Sequence, residues 1–419
     1  MINNKILILG ANYETIPLIQ NALSKKLHVY VADHIKNSKG KLVPGVIPVD
    51  IDGSDIDALE NYCRKNGIGS VMVGVADRLV NSYAVLCDRL NTFCMIDTAT
   101  SEILSNKLLF NQFLFKNNLD HIETFSVNEA YHFLRSGKKA IVKPVDGNSG
   151  KGLSICDKEN ELDAALEFAQ INSASQKVLI EPYLDDPGIG LYFTFSDYKC
   201  INVCIYDRYT APDFLNINKV PIAGLYPSKY QGLFHEKYSQ DLLNALYKLN
   251  IKCGVLMISG FINNKKLRLY DPGFRLQGEG ADVIVKYNYE IDQLSELVNF
   301  AQDGKFCLQK NSVDNKESFA SIWLLLKEGE VCGIHGMDII SAMSEVIEVR
   351  QRFSVGDTVT KEELGTEGQV FARIYIKAKE RKLLREISNQ IFKNIQVVDT
   401  DGNDLLIRTL DNTFWAKNG

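Results

Sequence analysis

The stretch Ile141–Cys156 reads IVKPVDGNSGKGLSIC and determines the fold that we predict for this chain. An apolar strand pattern carries Lys143, a loop rich in Gly, Ser and Asn follows, and a second strand pattern returns. Such a loop offers many backbone N–H groups in a small space, and glycine permits the positive φ angles of an anion-binding concavity. Lys143 and Lys151 add positive charge on either side, so the stretch predicts a phosphate-binding site. The alternative is a glycine-rich hairpin turn with surface lysines.

Two further windows carry polar residues at strand ends. Val178–Leu184 (VLIEPYL) is an apolar strand that ends in Glu181, and by itself it is compatible with ordinary sheet structure. Leu267–Gly280 (LRLYDPGFRLQGEG) places Asp271 and Arg275 directly after a short strand. A carboxylate there can hold magnesium, and an arginine four residues later can hold a phosphoryl or carboxylate group. A turn with an Asp–Arg pair is the alternative.

Residues 1–97 alternate strand and helix patterns. Three continuous apolar runs have the pattern of buried parallel strands: Lys5–Leu9, Val29–Ala32 and Ser70–Gly74. A helix pattern lies around Ile56–Lys65, so this part is predicted to be a small doubly wound α/β domain. Because the Gly-x-Gly-x-x-Gly fingerprint is absent, Gly10 is better explained as a structural turn than as a dinucleotide site. Asp33, at the end of the second run, is either a ribose ligand or a solvated carboxylate.

The rest of the chain has a different pattern of predicted strands and helices. Between about Thr98 and Phe300, strand runs separated by turns predict an antiparallel sheet with few helices, as in an α+β domain. From residue 301 to 419, further strands precede a charged helix near Lys379–Lys393, which predicts a C-terminal α+β domain.

Composition excludes several classes of protein. Of the 419 residues, 45% are apolar and 24% are charged, which is typical of a globular protein rather than a disordered one. The net charge of −5 gives no long-range attraction to nucleic acid or anionic membranes, and no apolar run approaches the roughly 18 residues of a membrane span. The nine cysteines lack disulfide or zinc spacing, and no signal-peptide pattern precedes the first strand. We therefore expect a cytoplasmic protein without zinc, nucleic-acid or membrane partners.

Taken in order, these windows resemble the ATP-grasp superfamily. The pattern consists of a helical Lys107, Lys143 with its glycine-rich loop, the Glu-x-Tyr-Leu hinge at 181–184 and the acidic-x-x-x-Arg element at 271–275. The resemblance covers nearly the whole chain and is closest to carbamoyl-phosphate-synthetase-like and L-amino-acid-ligase-like chains. GEVCGIHGMDI and GTEGQVFARIYIKA resemble the C-terminal domain of the amino-acid ligases. The implied domains are a pre-ATP-grasp domain (1–97), an ATP-grasp domain (98–300) and a C-terminal α+β domain (301–419).

The resemblance implies ATP and Mg²⁺ as cofactors. Asp271 would hold the metal, and Arg275 would act in catalysis by contacting the acyl phosphate. The loop would cover the phosphates, and residues 181–184 would border the adenine. The implied nucleotide-binding residues are Lys107, Lys143, Gly147, Ser149, Gly150, Lys151, Gly152, Glu181, Tyr183 and Leu184.

The final element departs from the superfamily pattern Glu-x-Asn-x-Arg. Asp271 replaces the glutamate, and Gly273 stands where an amide ligand is expected. Ser259 occupies the best match to the carboxylate of the preceding strand, and neither Gly188 nor Ile189 can hold the ribose as an acid does. These departures weaken the predicted metal site more than the predicted nucleotide site.

The implied activity is an ATP-dependent carboxylate–amine ligase that acts on a small metabolite or amino acid through an acyl phosphate. Its partners would be a small-molecule carboxylate and an amine, with a homodimer among the possible states. One alternative is a nucleotide-binding protein with a degraded metal site and little or no turnover. Another is a biotin-carboxylase-like or carbamoyl-phosphate-forming enzyme, although no Ala-Met-Lys-Met sequence is present.

The sequence also contains residues that could bind the two substrates. The segment Arg208–Tyr230 is either a pocket wall for an acidic substrate, with Arg208, Lys219 and Lys229, or a solvated loop. Glu279 and Asp282 are candidates for orienting the amine.

Overall fold

The computed structural model describes residues 4–147, 152–185, 188–211, 220–263, 265–308, 317–410 and 414–415. Within these ranges the strands form a four-stranded parallel sheet, a three-stranded antiparallel sheet, a nine-stranded sheet and two small strand pairs. No helix in this part of the chain has the length and apolar character that crossing a bilayer requires.

The N-terminal sheet is parallel, as the sequence predicts. Its strands are β1 (Lys5–Leu9), β2 (His28–Ala32), β3 (Val46–Val49) and β4 (Ser70–Val73), in the order β3-β2-β1-β4. Its helices are α1 (Ile16–Ser24), α2 (Ile56–Asn66) and α3 (Val80–Leu90). The predicted apolar runs are buried, whereas β3 was missed because much of it is exposed.

The turn after β1 is structural. Gly10 has a φ of +88°, which a residue with a side chain rarely adopts. The Asp33 carboxylate accepts hydrogen bonds from the backbone N–H groups of Ala11 (3.0 Å) and Ile35 (2.8 Å). Asp33 is therefore a buried loop-fixing residue, which differs from the solvated carboxylate considered from the sequence.

A small lobe carries the glycine-rich loop. Its helices are α6 (Val127–Arg135) and α7 (Leu162–Ile171), whereas the preceding α4 (Thr98–Ser105) and α5 (Lys107–Lys116) pack on the main apolar core. Its strands are β5 (Ala140–Pro144), β6 (Ser154–Cys156) and β7 (Val178–Pro182), which pair in the antiparallel order β6-β5-β7. Buried side chains of α6, α7, β5 and β7 form a separate apolar core beneath this sheet.

The rest of the chain builds the large sheet. Its strands and the small pairs are β8 (Gly188–Ser196), β9 (Lys199–Thr210), β10 (Pro221–Tyr226), β11 (Gly254–Asn263), β12 (Lys266–Gly273), β13 (Ser318–Leu326), β14 (Gly329–Glu330), β15 (Gly333–His335), β16 (Val346–Gln351), β17 (Thr358–Val359), β18 (Val370–Ala378), β19 (Gln396–Val398) and β20 (Leu406–Ile407). The remaining helices are α8 (Gln231–Lys237), α9 (Ser239–Leu246), α10 (Ala281–Tyr289), α11 (Gln293–Asp303), α12 (Met337–Ser341) and α13 (Arg381–Asn394).

The large sheet runs in the order β12-β11-β8-β9-β10-β13-β18-β16, with β20 beside β13. It confirms the predicted antiparallel sheet, but the expectation of few helices is wrong, since α4 to α11 lie between Thr98 and Asp303. These helices are short and amphipathic, and they cover apolar surface that a sheet alone leaves open. The large sheet contains strands from both sides of residue 300. The domain boundaries at 97 and 300 stay predictions.

Candidate active site

Lys107 joins three parts of the chain. It is the first residue of α5, whose N-terminus is capped by the Asn106 side chain through the N–H groups of Leu108 and Leu109 (3.0 and 3.1 Å). The Lys107 Nζ donates to the Gly147 carbonyl at 2.6 Å and pairs with Asp271 Oδ1 at 3.0 Å. Two predicted site residues on distant elements are thus in direct contact.

Electrostatics keep Lys107 charged. Burial alone would lower the pKa of its ammonium, but the nearby carboxylates, Asp271 foremost, together outweigh burial, and the pKa lies above its ordinary value. The carboxylates of Asp77 and Glu181 act in the same direction. The site therefore holds a positive charge that can neutralise a phosphate oxygen.

Lys143 and Glu181 form a buried ion pair across β5 and β7. Their Nζ and Oε2 atoms are 2.6 Å apart, and both side chains are less than a tenth exposed. The Lys143 ammonium also lies 5.4 Å from the centre of the Tyr270 ring, on β12. At Lys143 and Tyr270, the lobe that carries the glycine-rich loop therefore faces β12, an edge strand of the large sheet.

The other predicted nucleotide residues surround this pair. Gly147 and Gly152 flank the loop, while Ser149, Gly150 and Lys151 lie outside the described residues. Gly152 has a φ of +75°, and a β-carbon there would come within 2.6 Å of the Asn172 side chain, so glycine is required. Tyr183 and Leu184 are half-buried directly after β7.

Arg275 contacts a residue that the sequence analysis missed. Its Nη2 lies 2.5 Å from Asp77 Oδ2, and its Nη1 donates to the Leu276 carbonyl at 2.8 Å. Asp77 belongs to the short turn that follows β4, at the carboxyl edge of the parallel sheet. Burial opposes the charge of Arg275, but Asp77 raises its pKa above the ordinary value, so the guanidinium is retained. The signal available in the sequence was the position of Asp77 shortly after the end of a parallel strand, where ligands often bind.

The residues around Asp271 include those that depart from the superfamily pattern. Ser259 lies opposite Asp271 in the β11–β12 register, so no carboxylate occupies that position. Gly273 leaves a space that the Asp77 carboxylate approaches. No group of three or more His, Cys, Asp or Glu side chains suited to a metal ion occurs among the described residues.

A second charged group includes Glu279, which follows Arg275 by four residues in the sequence. The Arg208 Nε lies 2.6 Å from Glu279 Oε1, and the Tyr206 hydroxyl donates to Glu279 Oε2 at 3.1 Å. The Gln277 amide in turn donates to the Tyr206 hydroxyl. Arg208 and Glu279, both candidates from the sequence, are therefore partners in one buried network, whereas Lys219 lies outside the described residues.

Arginines of the C-terminal strands reach the same region. Arg373 on β18 is fully buried, contacts Glu14 Oε1 at 3.2 Å through both Nη atoms, and stacks 4.2 Å from the Trp323 ring centre. Arg350 on β16 makes a bidentate contact with Asp282 (2.7 and 3.2 Å). The sequence analysis did not single out either arginine: Arg373 lies within the apolar strand β18, where a charged residue was the available signal, and Arg350 lies within the mixed strand β16, where a charged residue is ordinary.

The chain is similar to known proteins in sequence and in fold. No protein-family model matches the chain. The ATP-grasp enzyme fsqD of Aspergillus fumigatus is 23% identical in an alignment 187 residues long that covers 41% of this chain. The match spans only 32% of that enzyme's length.

Solved structures match over almost the whole chain. L-amino acid ligase from Bacillus licheniformis has a TM-score of 0.75 and 15% identity, with 96% of this chain and 100% of that chain covered. Phosphoribosylglycinamide synthetase from Anaerococcus prevotii has a TM-score of 0.72 and 16% identity, with 94% and 99% covered. This chain has the ATP-grasp fold. The predicted fold class is thereby confirmed, and the curated relative that matches part of the chain is likewise named an ATP-grasp enzyme.

Within the ATP-grasp fold, the described site brings together three ion pairs: Lys107–Asp271, Lys143–Glu181 and Arg275–Asp77. Three cations thus meet three carboxylates in a largely buried region. This arrangement can bind a polyanion by exchanging internal ion pairs for contacts with phosphate oxygens.

Proposed function

We propose that this protein is an ATP-dependent carboxylate–amine ligase that uses Mg²⁺, forms ADP and acts on a small metabolite or amino acid. The observation that carries the proposal is the convergence of Lys107, Asp271 and Arg275 beside the glycine-rich loop of an ATP-grasp fold. The names of the two structural relatives, an L-amino acid ligase and a phosphoribosylglycinamide synthetase, support the same reaction class.

The reaction has two stages in this proposal. A carboxylate oxygen of the substrate attacks the γ-phosphorus of ATP, the bond to ADP breaks, and an acyl phosphate results. The amine then attacks the acyl carbon, inorganic phosphate leaves, and the amine loses a proton. Bound Mg²⁺ would neutralise charge on the phosphate groups, with Asp271 among its ligands.

The residues of the chain supply fixed positive charge. Lys107 and Lys143 are assigned to the phosphates, since both ammonium groups are held in place before the nucleotide binds. Arg275 is assigned to the phosphoryl oxygens of the acyl phosphate. Charges fixed in advance stabilise a developing charge without reorganisation, which is the main electrostatic advantage of such a site. Arg208, oriented by Glu279, is assigned to the substrate carboxylate.

Trapping with hydroxylamine tests this proposal. The protein is incubated with ATP, Mg²⁺, hydroxylamine and a panel of amino acids and other small carboxylates, and hydroxamate and ADP are quantified. An acyl phosphate yields hydroxamate even when the natural amine is unknown, so at least one carboxylate should give hydroxamate and ADP together. Arg275→Met should abolish both products, whereas Arg64→Met, which changes an exposed arginine of α2, should preserve them.

The two alternatives make different predictions. Ser259 and Gly273 favour a protein with a degraded metal site, which would bind ATP but give no hydroxamate and no substrate-dependent ADP. A biotin-carboxylase-like enzyme would instead form ADP only when bicarbonate is supplied. Bicarbonate-dependent ADP formation, or ATP binding without any turnover, would contradict the ligase proposal.

A further inference from the structure

Glu367 belongs to a short helical turn directly before β18. Its Oε2 lies 3.6 Å from Arg373 Nη2 and would lie 3.9 Å from a β-carbon built at Gly278. Gly278 is between Arg275 and Glu279 in the chain, so Glu367 packs beside the segment that carries both of these site residues. The side chain is 37% exposed, and its carboxylate is therefore accessible to a ligand.

Glu367 differs from the other carboxylates around Arg208 and Arg373 because it is not engaged. Each of the others is held by an arginine: Glu14 by Arg373, Glu279 by Arg208 and Asp282 by Arg350. The Glu367 carboxylate accepts no hydrogen bond from any residue that the structure describes. It can therefore receive a ligand without the loss of an internal hydrogen bond, whereas Glu279 and Asp282, the sequence candidates for the amine, cannot.

The charge of Glu367 is incompletely neutralised. Burial in the surrounding protein, which leaves only part of the side chain accessible, raises the pKa of its carboxyl, and the carboxylates of Glu14 and Glu279 act in the same direction. The guanidinium groups of Arg373 and Arg208 lower the pKa but do not compensate for these effects. A further positive charge beside Glu367 would therefore be stabilised, and its arrival would lower the pKa of the carboxyl again.

An ammonium group suits this position better than a divalent metal ion. Mg²⁺ demands an octahedral shell of oxygen ligands, and no group of three or more acidic, His or Cys side chains suited to a metal occurs in the described part of the chain. The Arg373 guanidinium, 3.6 Å from Oε2, would also repel a doubly charged ion more strongly than a singly charged one. An ammonium needs only a charge-assisted hydrogen bond to one carboxylate.

Glu367 also lies where an amine has to approach in the proposed function. There, Arg275 contacts the phosphoryl oxygens of the acyl phosphate and Arg208 contacts the substrate carboxylate. The charge of Glu367 acts on both arginines. We propose that Glu367 binds the ammonium group of the amine substrate, which is thus an amine that carries a positive charge at neutral pH. The inference rests on the proposed function and names the chemical class of its second substrate.

Parallel assays with two kinds of nucleophile test the inference. The protein is incubated with ATP, Mg²⁺ and a carboxylate that gives hydroxamate, and either hydroxylamine or one of the standard amino acids or alkylamines is supplied. Hydroxylamine is largely uncharged at neutral pH, whereas ordinary amines are mostly cationic. The wild type should form amide with at least one cationic amine, as measured by mass spectrometry. Glu367→Gln should raise the KM for that amine about tenfold or more, because a charge-assisted hydrogen bond is lost.

The ratio of amide to hydroxamate separates the amine site from the rest of the reaction. Glu367→Gln should lower this ratio, because hydroxylamine does not require a negative charge. Glu367→Asp keeps the charge and should retain more amide formation than Glu367→Gln, although glutamine is closer to glutamate in shape. Glu362→Gln makes the same change in an exposed glutamate of the same segment and should leave the KM for the amine within about twofold of the wild type. Calorimetry of a non-hydrolysable ATP analogue, adenylyl imidodiphosphate, checks that each variant is folded.

The outcomes distinguish the two proposals. An unchanged KM for the amine in folded Glu367→Gln would overturn the inference. A parallel loss of hydroxamate and amide would also overturn it, because Glu367 would then act in the formation of the acyl phosphate, and so would a wild type that forms hydroxamate but no amide from any cationic amine. Absence of hydroxamate in the wild type would instead contradict the proposed function on which the inference rests.

Discussion

At the scale of single residues, the site consists of cations that are already paired inside the protein. Lys107, Lys143 and Arg275 each contact a carboxylate at 3.0 Å or less. Because burial of an unpaired charge is unfavourable, these carboxylates stabilise the cations inside the protein. In the proposed function, the same cations would also bind phosphate groups, and the two contributions can be measured separately.

The Lys143–Glu181 pair allows this separation. Lys143→Met should destabilise the protein by about 3–5 kcal/mol, since Glu181 is then buried without its partner. Adding Glu181→Gln removes the remaining buried charge. The double variant should therefore recover most of the free energy of unfolding that Lys143→Met loses, as measured by urea denaturation. The affinity for the ATP analogue should fall about tenfold or more in both variants, as a charge-assisted contact with phosphate is lost. Recovery of nucleotide affinity in the double variant would contradict the assignment of Lys143 to the phosphates.

Residue patterns predicted only part of this site. Lys143, Asp271 and Arg275 lie at strand ends beside glycine or charge, which local sequence reveals. Asp77 and Glu14 contact partners 198 and 359 positions away, and no local pattern encodes such pairings. They are explained by the packing of the parallel sheet against the large sheet, which follows from the whole fold.

At the scale of elements, the approach of β8 to β9 fixes the network around Arg208. Gly190 pairs with Tyr206 in the register, and a β-carbon at Gly190 would lie about 2 Å from the Tyr206 ring. The Tyr206 ring stacks on Tyr226 with centroids 4.7 Å apart, so it has little room to move. A glycine within a strand often marks such a close approach.

Gly190→Ala should therefore disturb both folding and the site. We expect a loss of stability of about 1–3 kcal/mol, typical of overpacking, together with reduced substrate-dependent ADP formation, as Tyr206 orients Glu279. Gly232→Ala is the matched control, because a β-carbon there meets no atom within 4 Å and the residue lies on α8. Thermal unfolding and ADP release measured for both variants check the prediction, and equal behaviour of the two would refute it.

At the scale of the whole molecule, the predicted domains are joined by shared structure. β13, beyond residue 300, pairs with β10, so strands from both predicted domains lie in one sheet. One apolar core includes side chains of the N-terminal sheet and of β8 and β11. Composition and strand patterns predicted that these sheets exist. Which strands pair with each other depends on contacts between residues distant in sequence, which local patterns do not contain.

The Arg373–Glu14 contact connects the C-terminal strands to the N-terminal domain. Glu14→Gln should cost about 3 kcal/mol in the free energy of unfolding, because Arg373 is fully buried and Glu367, its other acidic neighbour, lies farther away at 3.6 Å. Glu60→Gln in the exposed Glu60–Arg64 pair should cost less than about 1 kcal/mol. Urea unfolding compares the two variants, and a similar small loss in both would show that the buried contact does not hold the domains together.

The most direct test of the central claim is calorimetric titration of the wild-type protein with adenylyl imidodiphosphate in Mg²⁺ and in EDTA. We predict saturable binding at one site per chain that Mg²⁺ strengthens, since cations and acidic residues meet at the same place. Absence of binding under both conditions would contradict the proposal that this ATP-grasp fold uses ATP.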